Sequence, residues 1–348
     1  MSLTALTSAE ISLPAEADGA RVSDRIAVLA DTVDVVGLTD NHAGQPRMSP
    51  LAAVALAREQ RVGTIVHVSC RDRNRLALQS QVVGAAAFVI PVPRAPGTAV
   101  KENNSAVIDF SNARDGYVMV KFHNSTTNTL ATLIDAPGGT QYVYMLTPGN
   151  FAVYPLSEGN GRYTIGVYEQ IQGTRFRLVI KKSIDVTLAD SLAPFLRPNQ
   201  YVNFNKDSAV VKKAAELTNG TTGMVEKISA VYNFVISNFT YDKELAATVQ
   251  TGYLPDVDAV LARKKGICFD YTAVMTAMLR SQGIPTKLVI GYLGREYHAW
   301  IKVHSNETGW VNVIYFDGKN WRIMDPTFAA GRTDFIVDES KYRAMFRY

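Results

Sequence analysis

The rhythm of apolar and polar positions divides the chain into three stretches. Over residues 1–90, short apolar runs alternate with longer segments at helical spacing. VDVVGLTD (33–40) and GTIVHVSC (63–70) read as buried strands. MSPLAAVALAREQR (48–61) and DRNRLALQSQVVGAAA (72–87) read as helices, with Ser49 placed as an N-cap and Pro50 at the first helical position. Strands alternating with helices predict parallel pairing. From 104 to 190 the period shortens to two. SAVIDFSN, GYVMVKFH, TLATLIDA, TQYVYML, RYTIGVYEQI and TRFRLVIKK are rich in β-branched and aromatic residues, and turn clusters such as NARDG, APGG and SEGNG separate them. These runs predict an antiparallel β-sandwich of immunoglobulin-like type.

From about 191 the pattern is mixed. TTGMVEKISAVYNFVISNF (221–239) has helical spacing with Thr222 as a candidate cap. KKGICFDYTAVMTAMLRSQGIP (264–285) predicts a helix that opens at Cys268 or just before it and runs to Gln282. Gly283 then fits the left-handed position past its end, and Pro285 cannot continue it. EYHAWIKVH (296–304) alternates as a strand, and GWVNVIYFDGKNWRIMDPT (309–327) reads as a hairpin turning at Asp317 and Gly318.

Composition sharpens the division. The first hundred residues carry nine arginines but no lysine, tyrosine or tryptophan, and all 16 tyrosines follow. PVPRAPGTAV (91–100) has the character of a linker. The expected architecture is multidomain α+β: a βαβα segment at 1–90, a β-sandwich at 97–190 and an α+β catalytic domain at 191–348. A length of 348 residues suits two or three domains. A hydrophobic content of 47% with 20% charged residues fits a folded chain. A net charge of +4 without a basic run gives no support for nucleic-acid binding. No apolar run approaches ~18 residues, so no membrane span is expected. MSLTALTSAEISLP lacks a basic segment followed by an apolar core, so no signal peptide is expected in the sequence as written. The two cysteines, Cys70 and Cys268, form no CxxC pair, and neither a metal site nor a disulfide framework is expected.

The chemistry concentrates around Cys268. A thiol in the first turn of a helix sits where aligned peptide dipoles favour negative charge, and Arg263, Lys264 and Lys265 lie just upstream. Gly266 leaves room for a substrate to approach the backbone. First-turn N–H groups can also hold an oxyanion. Such a thiol needs a base. His298, Trp300, Lys302 and His304 share one face of the 296–304 strand. His298 and His304 are about 20 Å apart along it, so only one can serve. His298 lies at the strand start, where a site can open. An imidazole base needs an orienting acceptor, and Asp325, at the end of WRIMD, can face the same site. Asp317 reads as a turn residue. Tyr241 and Trp300 can line the site or pack the core. His123 and Cys70 read as structural.

In combination these motifs resemble the transglutaminase-like superfamily, relatives of papain-like enzymes. GICFDYTAVMTAMLRSQGIPTKLVIGY, YHAW, WRIMDPTF and the upstream VYNFVISNFTYD carry the resemblance, which covers about 221–348. It implies a cysteine-bearing helix packed on an antiparallel sheet, with Cys268 as nucleophile, His298 as base and Asp325 as orienting acid. The implied activity is acyl transfer from peptide or glutamine amides through a thioester, ending as a protease, a deamidase or a cross-linking enzyme. The partners are a peptide or protein substrate and an amine acceptor, with no cofactor. A catalytically silent binding module is the alternative. Relatives of this part are often exported, which suggests a cell-envelope origin. A second resemblance, at SAEISLP, VGLTDNHAGQPRMSPLA and HVSCRDRNRLALQS, is to the opening of methylenetetrahydrofolate reductase, a flavin-binding (β/α)8 barrel. It places Glu10 at that family's catalytic acid and Thr39 and His67 near its flavin contacts. The resemblance stops near residue 87, after about two of eight βα units. A barrel cannot close on two strands, so a fused fragment without flavin is expected.

Overall fold

The computed structural model describes residues 8–12, 35–39, 63–67 and 90–348, the last stretch without 222, 306–308, 313, 317–320 and 324–340. The chain divides into two compact units, Met1–Phe88 and Val89–Tyr348.

In the first unit, β1 (Ser8–Ser12), β2 (Val35–Thr39) and β3 (Gly63–His67) form a parallel sheet in that order. The parallel pairing expected from the βαβα rhythm is present between β2 and β3. The helices read at 48–61 and 72–87 lie outside the described residues, as do Ser49, Pro50 and Cys70.

The second unit begins with eight strands: β4 (Val100–Glu102), β5 (Ala106–Asp109), β6 (Tyr117–Phe122), β7 (Leu130–Asp135), β8 (Gln141–Leu146), β9 (Ala152–Pro155), β10 (Gly161–Gln172) and β11 (Arg175–Val186). They form two antiparallel sheets, ordered β4-β5-β6-β9 and β11-β10-β7-β8. Ile108, Val118 and Val120 from one sheet and Ile134, Tyr163 and Val167 from the other belong to one buried core. His123, just past β6, pairs its Nε2 with Glu102 at 3.0 Å, which is a structural role.

The rest of the unit is mixed. In order come α1 (Ala209–Leu217), α2 (Met224–Asn238), β12 (Thr240–Tyr241), α3 (Lys243–Thr248), α4 (Val257–Arg263), β13 (Lys265–Gly266), α5 (Cys268–Ser281), β14 (Thr286–Leu293), β15 (Glu296–Ser305), β16 (Gly309–Asn312), β17 (Ile314–Phe316), β18 (Trp321–Ile323) and β19 (Tyr342–Arg347). The N-cap of α2 is Gly223, without a side-chain cap bond, and Thr222 lies outside the described residues. Helix α5 is the centre of this part. Every residue from Asp270 to Ser281 is buried, with α1, α2 and α4 packed against it and β14 and β15 beneath. A helix apolar on most sides needs such cover. It ends where expected, with Gln282 as C-cap and Gly283 at φ 75°. The sheet order is β16-β15-β14-β19, all antiparallel, and β17 and β18 pair antiparallel.

Tyrosines join the two-sheet part to this core. Tyr142 and Tyr144 of β8 meet Tyr348, with ring centroids 5.4 and 5.8 Å apart, and Tyr348 meets Tyr201 at 4.4 Å. Such edge-to-face pairs add to the simple burial of the rings. Arg347 continues the joint, its guanidinium 3.2 Å from Glu158.

Candidate active site

The path into Cys268 is fixed by backbone geometry. Lys264 adopts φ 51°, the one non-glycine residue with positive φ among the described residues, and turns the chain out of α4 into β13. There β13 pairs parallel with β12, Tyr241 beside Gly266, and the amide of Asp242 donates to the Gly266 carbonyl at 2.8 Å. Ile267 is extended, and its N–H donates to Oδ2 of Asp270 at 2.9 Å. Cys268 then opens α5 as a half-buried free thiol. The first-turn amides beside it have no intrahelical acceptor. Thr272 donates its hydroxyl to the carbonyl of Cys268 at 2.9 Å, which steadies that turn.

Asp270 is the residue that sequence reasoning missed. Its side chain has no solvent exposure. Oδ1 accepts the phenol of Tyr253 at 2.6 Å and lies 3.5 Å from Arg263. Burial holds its carboxyl above the usual aspartate range, against the lowering pull of Tyr253, the Ile267 amide and Arg263. The same network raises Tyr253 to about 12, through burial first and then the aspartate. Gly266 makes room for this packing: a Cβ there would fall 2.6 Å from the Cβ of Asp270. The signal was available, since an acid at the third helical position is half of a capping box.

The basic residues upstream are engaged with carboxylates. Arg263 turns to Asp270, and Lys265 lies 3.2 Å from Asp242, whose carboxyl is held low by the Leu245 amide and by that lysine. Of the three basic residues expected to act on the thiol, Arg263 and Lys265 are thus also shared with aspartates.

On the sheet side, Leu288 and Ile290 of β14 and Ala299, Ile301 and Val303 of β15 join the core that contains α5. Alternation puts His298 and Trp300 on the other face of β15. The imidazole is buried there, its ring 6.4 Å from that of Trp300 and nearly parallel to it, and Tyr342 stands edge-on to both. His298 faces Gly291 in the register, where a Cβ would lie 2.1 Å from the Arg343 carbonyl and 2.9 Å from the Trp300 ring. The preceding residue, Tyr297, is 60% exposed. Its phenol is raised, first by the burial of part of the ring and then by Tyr292 and Cys268. His304 lies at the far end against Trp310, ring centroids 5.2 Å apart. Asp325 lies outside the described residues.

In the first unit, Thr39 and His67 are register partners, and Glu10 pairs with Gly37, so the three positions fall on adjacent strands. Among the described residues no cluster of metal-ligating side chains occurs, and no helix is long and apolar enough to cross a membrane.

Comparison with known proteins finds similarity over this part of the chain. Residues 211–326 match the model of the Transglutaminase-like superfamily, and they are a transglutaminase-like domain within a mixed α+β chain. An uncharacterized protein, YebA, of Bacillus subtilis (strain 168) is 33% identical over 28% of this chain, and a protein-glutamine gamma-glutamyltransferase of Pseudomonas aeruginosa is 26% identical over 25%. The matches span only 16% and 14% of the length of these relatives. The solved structure of red sea bream transglutaminase aligns with 61% of this chain and 48% of its own at 14% identity and TM-score 0.27.

Proposed function

We propose that the chain is a cysteine-dependent acyl-transfer enzyme acting on peptide or glutamine amides. The observation that carries this reading is a half-buried thiol at the N-terminus of a buried helix that packs on β15, the strand that carries His298. The match of residues 211–326 to the transglutaminase-like model supports it. In the reaction, Cys268 transfers its proton to His298 and the thiolate attacks the amide carbonyl. First-turn amides of α5 bind the developing oxyanion. The C–N bond breaks as the imidazolium returns the proton to the leaving nitrogen, and a thioester remains. Water or an amine, deprotonated by His298, then attacks the thioester, and the released thiolate recovers that proton. Asp325 orients the imidazole. Tyr297 and Tyr241 are both exposed, and Tyr241 pairs with Gly266 two residues before the thiol.

The architecture proposed around this chemistry is a two-sheet module at 97–190 preceding the catalytic domain at 191–348, with residues 1–90 a separate segment that supplies no cofactor to it.

The test compares the full chain with Cys268→Ala on labelled glutamine peptides, with and without an amine donor, and maps iodoacetamide adducts by mass spectrometry. Release of ammonia or incorporation of the amine, lost in Cys268→Ala, supports the reading. Equal turnover in the variant, or no adduct on Cys268 while other groups react, refutes it and leaves a binding module.

A further inference from the structure

The sheet β11-β10-β7-β8 turns one face to the core and leaves the other to solvent. The strand registers draw two rows across the outer face. One runs Leu178–Tyr168–Ala131–Met145, and the next Lys181–Gly166–Leu133–Val143. Phe176 extends the patch toward the β10–β11 turn. Leu178 is 51% exposed, Val143 52% and Phe176 42%. Tyr168 lies over Gly166, whose Cβ position would fall 2.7 Å from the ring. Further along the sheet the face turns polar: Thr164 bonds Ser183, and Gln141 bonds Asp135. The apolar half is a contiguous surface of the kind that marks an interaction site.

Two further observations say what it would hold. Positive charge borders it: Arg175 and Lys181 are exposed, while Arg177 is spent on the buried Glu169, which Thr126 and Asn128 also bond. The patch also borders a loop that is tied to the helix carrying Cys268. Met145 backs onto Gly252, where a Cβ would lie 3.2 Å from its Cγ, and the next residue, Tyr253, is hydrogen-bonded to Asp270 of α5.

We propose that this face docks an extended, acidic polypeptide segment bearing apolar side chains, the part of a protein substrate that leads toward Cys268. Calling the guest a substrate rests on the acyl-transfer reading, whereas its binding does not. Apolar side chains of the guest cover Leu178, Tyr168 and Val143, and its carboxylates meet Arg175 and Lys181. The positive rim raises the rate of encounter and disfavours basic segments.

The test uses fluorescein-labelled twelve-residue peptides: one alternating leucine or phenylalanine with glutamate, one with lysine for glutamate, and one with serine for the apolar residues. Each is titrated by anisotropy against the full chain, against Cys268→Ala, and against the double variant Leu178→Ser, Val143→Ser. Both substitutions are at exposed positions, and circular dichroism checks that the fold is kept. The acidic apolar peptide is expected to bind the full chain and Cys268→Ala alike, and the double variant at least about tenfold more weakly. The lysine and serine peptides are expected to bind the full chain weakly. Equal affinity for the double variant overturns the proposal, and so does equal affinity for the lysine peptide. A full chain that sediments as a dimer and binds no peptide, with a monomeric double variant, also overturns it, since the face is then a self-contact. Peptide binding without any Cys268-dependent turnover upholds the docking face and removes only the acyl-transfer reading.

Discussion

The phenol of Tyr253 donates a 2.6 Å hydrogen bond to Asp270, a carboxylate with no solvent exposure, and so ties the 249–256 loop to the helix that begins at Cys268. Asp270 also closes the N-terminus of that helix through the Ile267 amide. Removing it leaves a buried amide and a phenol without their acceptor, and Asp270→Ala is expected to lower stability by about 1–3 kcal/mol. Asp270→Asn keeps an amide oxygen for Ile267 and should lose less. The carboxyl is held above its ordinary 3.8 by burial, so the folded state disfavours the ionised form. That penalty is absent below the unfolded pKa and grows as pH rises through the raised folded value. The stability of the parent relative to Asp270→Asn should therefore fall as pH rises from about 4 through that window. Urea unfolding at a series of pH values measures it, and a flat difference would remove the charge from the explanation.

The two histidines of β15 provide a positional test. His298 lies near the start of β15 beside Trp300, and His304 packs against Trp310 toward the strand's other end. Under the acyl-transfer reading, His298→Ala should reduce turnover of a glutamine peptide by about 10²–10⁴-fold, the usual worth of a general base. His304→Ala should leave turnover within about twofold. Alkylation of Cys268 at pH 9.5, where the base is dispensable, should proceed in both variants. Loss of turnover in His304→Ala alone would move the base to the wrong end of the strand and sink the assignment.

Gly291 sets how closely β19 and Trp300 approach the strand beside His298. A Cβ there would overlap the Arg343 carbonyl at 2.1 Å, a backbone atom that cannot rotate away. Gly291→Ala should cost about 1–3 kcal/mol by overpacking, with the strands forced apart where His298 is held. Denaturant midpoints report the cost. A variant as stable as the parent would show that β19 can shift freely at its bulge between Ile290 and Gly291.

Much of this was legible in sequence because local rules and tertiary packing agree there. Helix α5 could be read from Cys268 to its glycine stop because a buried helix, a left-handed cap and a following proline all point the same way. The long strands β10 and β11 announce themselves by alternation. β4 and β9 do not: β4 is three exposed residues, and β9 ends in Pro155, so each is a strand only because β5 or β6 offers its edge. In the site, the position of Cys268 followed from the helix start, but the role of Asp270 did not, because Tyr253 and Arg263 reach it only through the loop and α4. The side of β15 that meets α5 was also hidden. Alternation shows that His298 and Trp300 share a face, and only the packing of Ala299 and Ile301 shows which face α5 covers.

Arg280 holds the opposite end of α5 and makes the clearest stability prediction. Its side chain is buried, and burial draws its pKa down to about 9. Backbone carbonyls take its donors: Thr286 at 2.9 and 2.8 Å, Tyr348 at 2.8 Å and Arg197 at 2.6 Å. Replacing a buried ion by an apolar side chain of similar size is often harmless, because its desolvation cost disappears with it. Here the acceptors are peptide carbonyls from three different segments, which stay buried when the guanidinium is gone, and each loses a charge-assisted hydrogen bond. The second effect should win. Arg280→Met is expected to destabilise by about 3 kcal/mol, and Arg280→Lys by a similar amount, since one ammonium cannot span the planar fork of donors. Urea unfolding followed by tyrosine fluorescence measures both. Stability within about 0.5 kcal/mol of the parent in Arg280→Met would mean that desolvation of the guanidinium outweighs its carbonyl bonds.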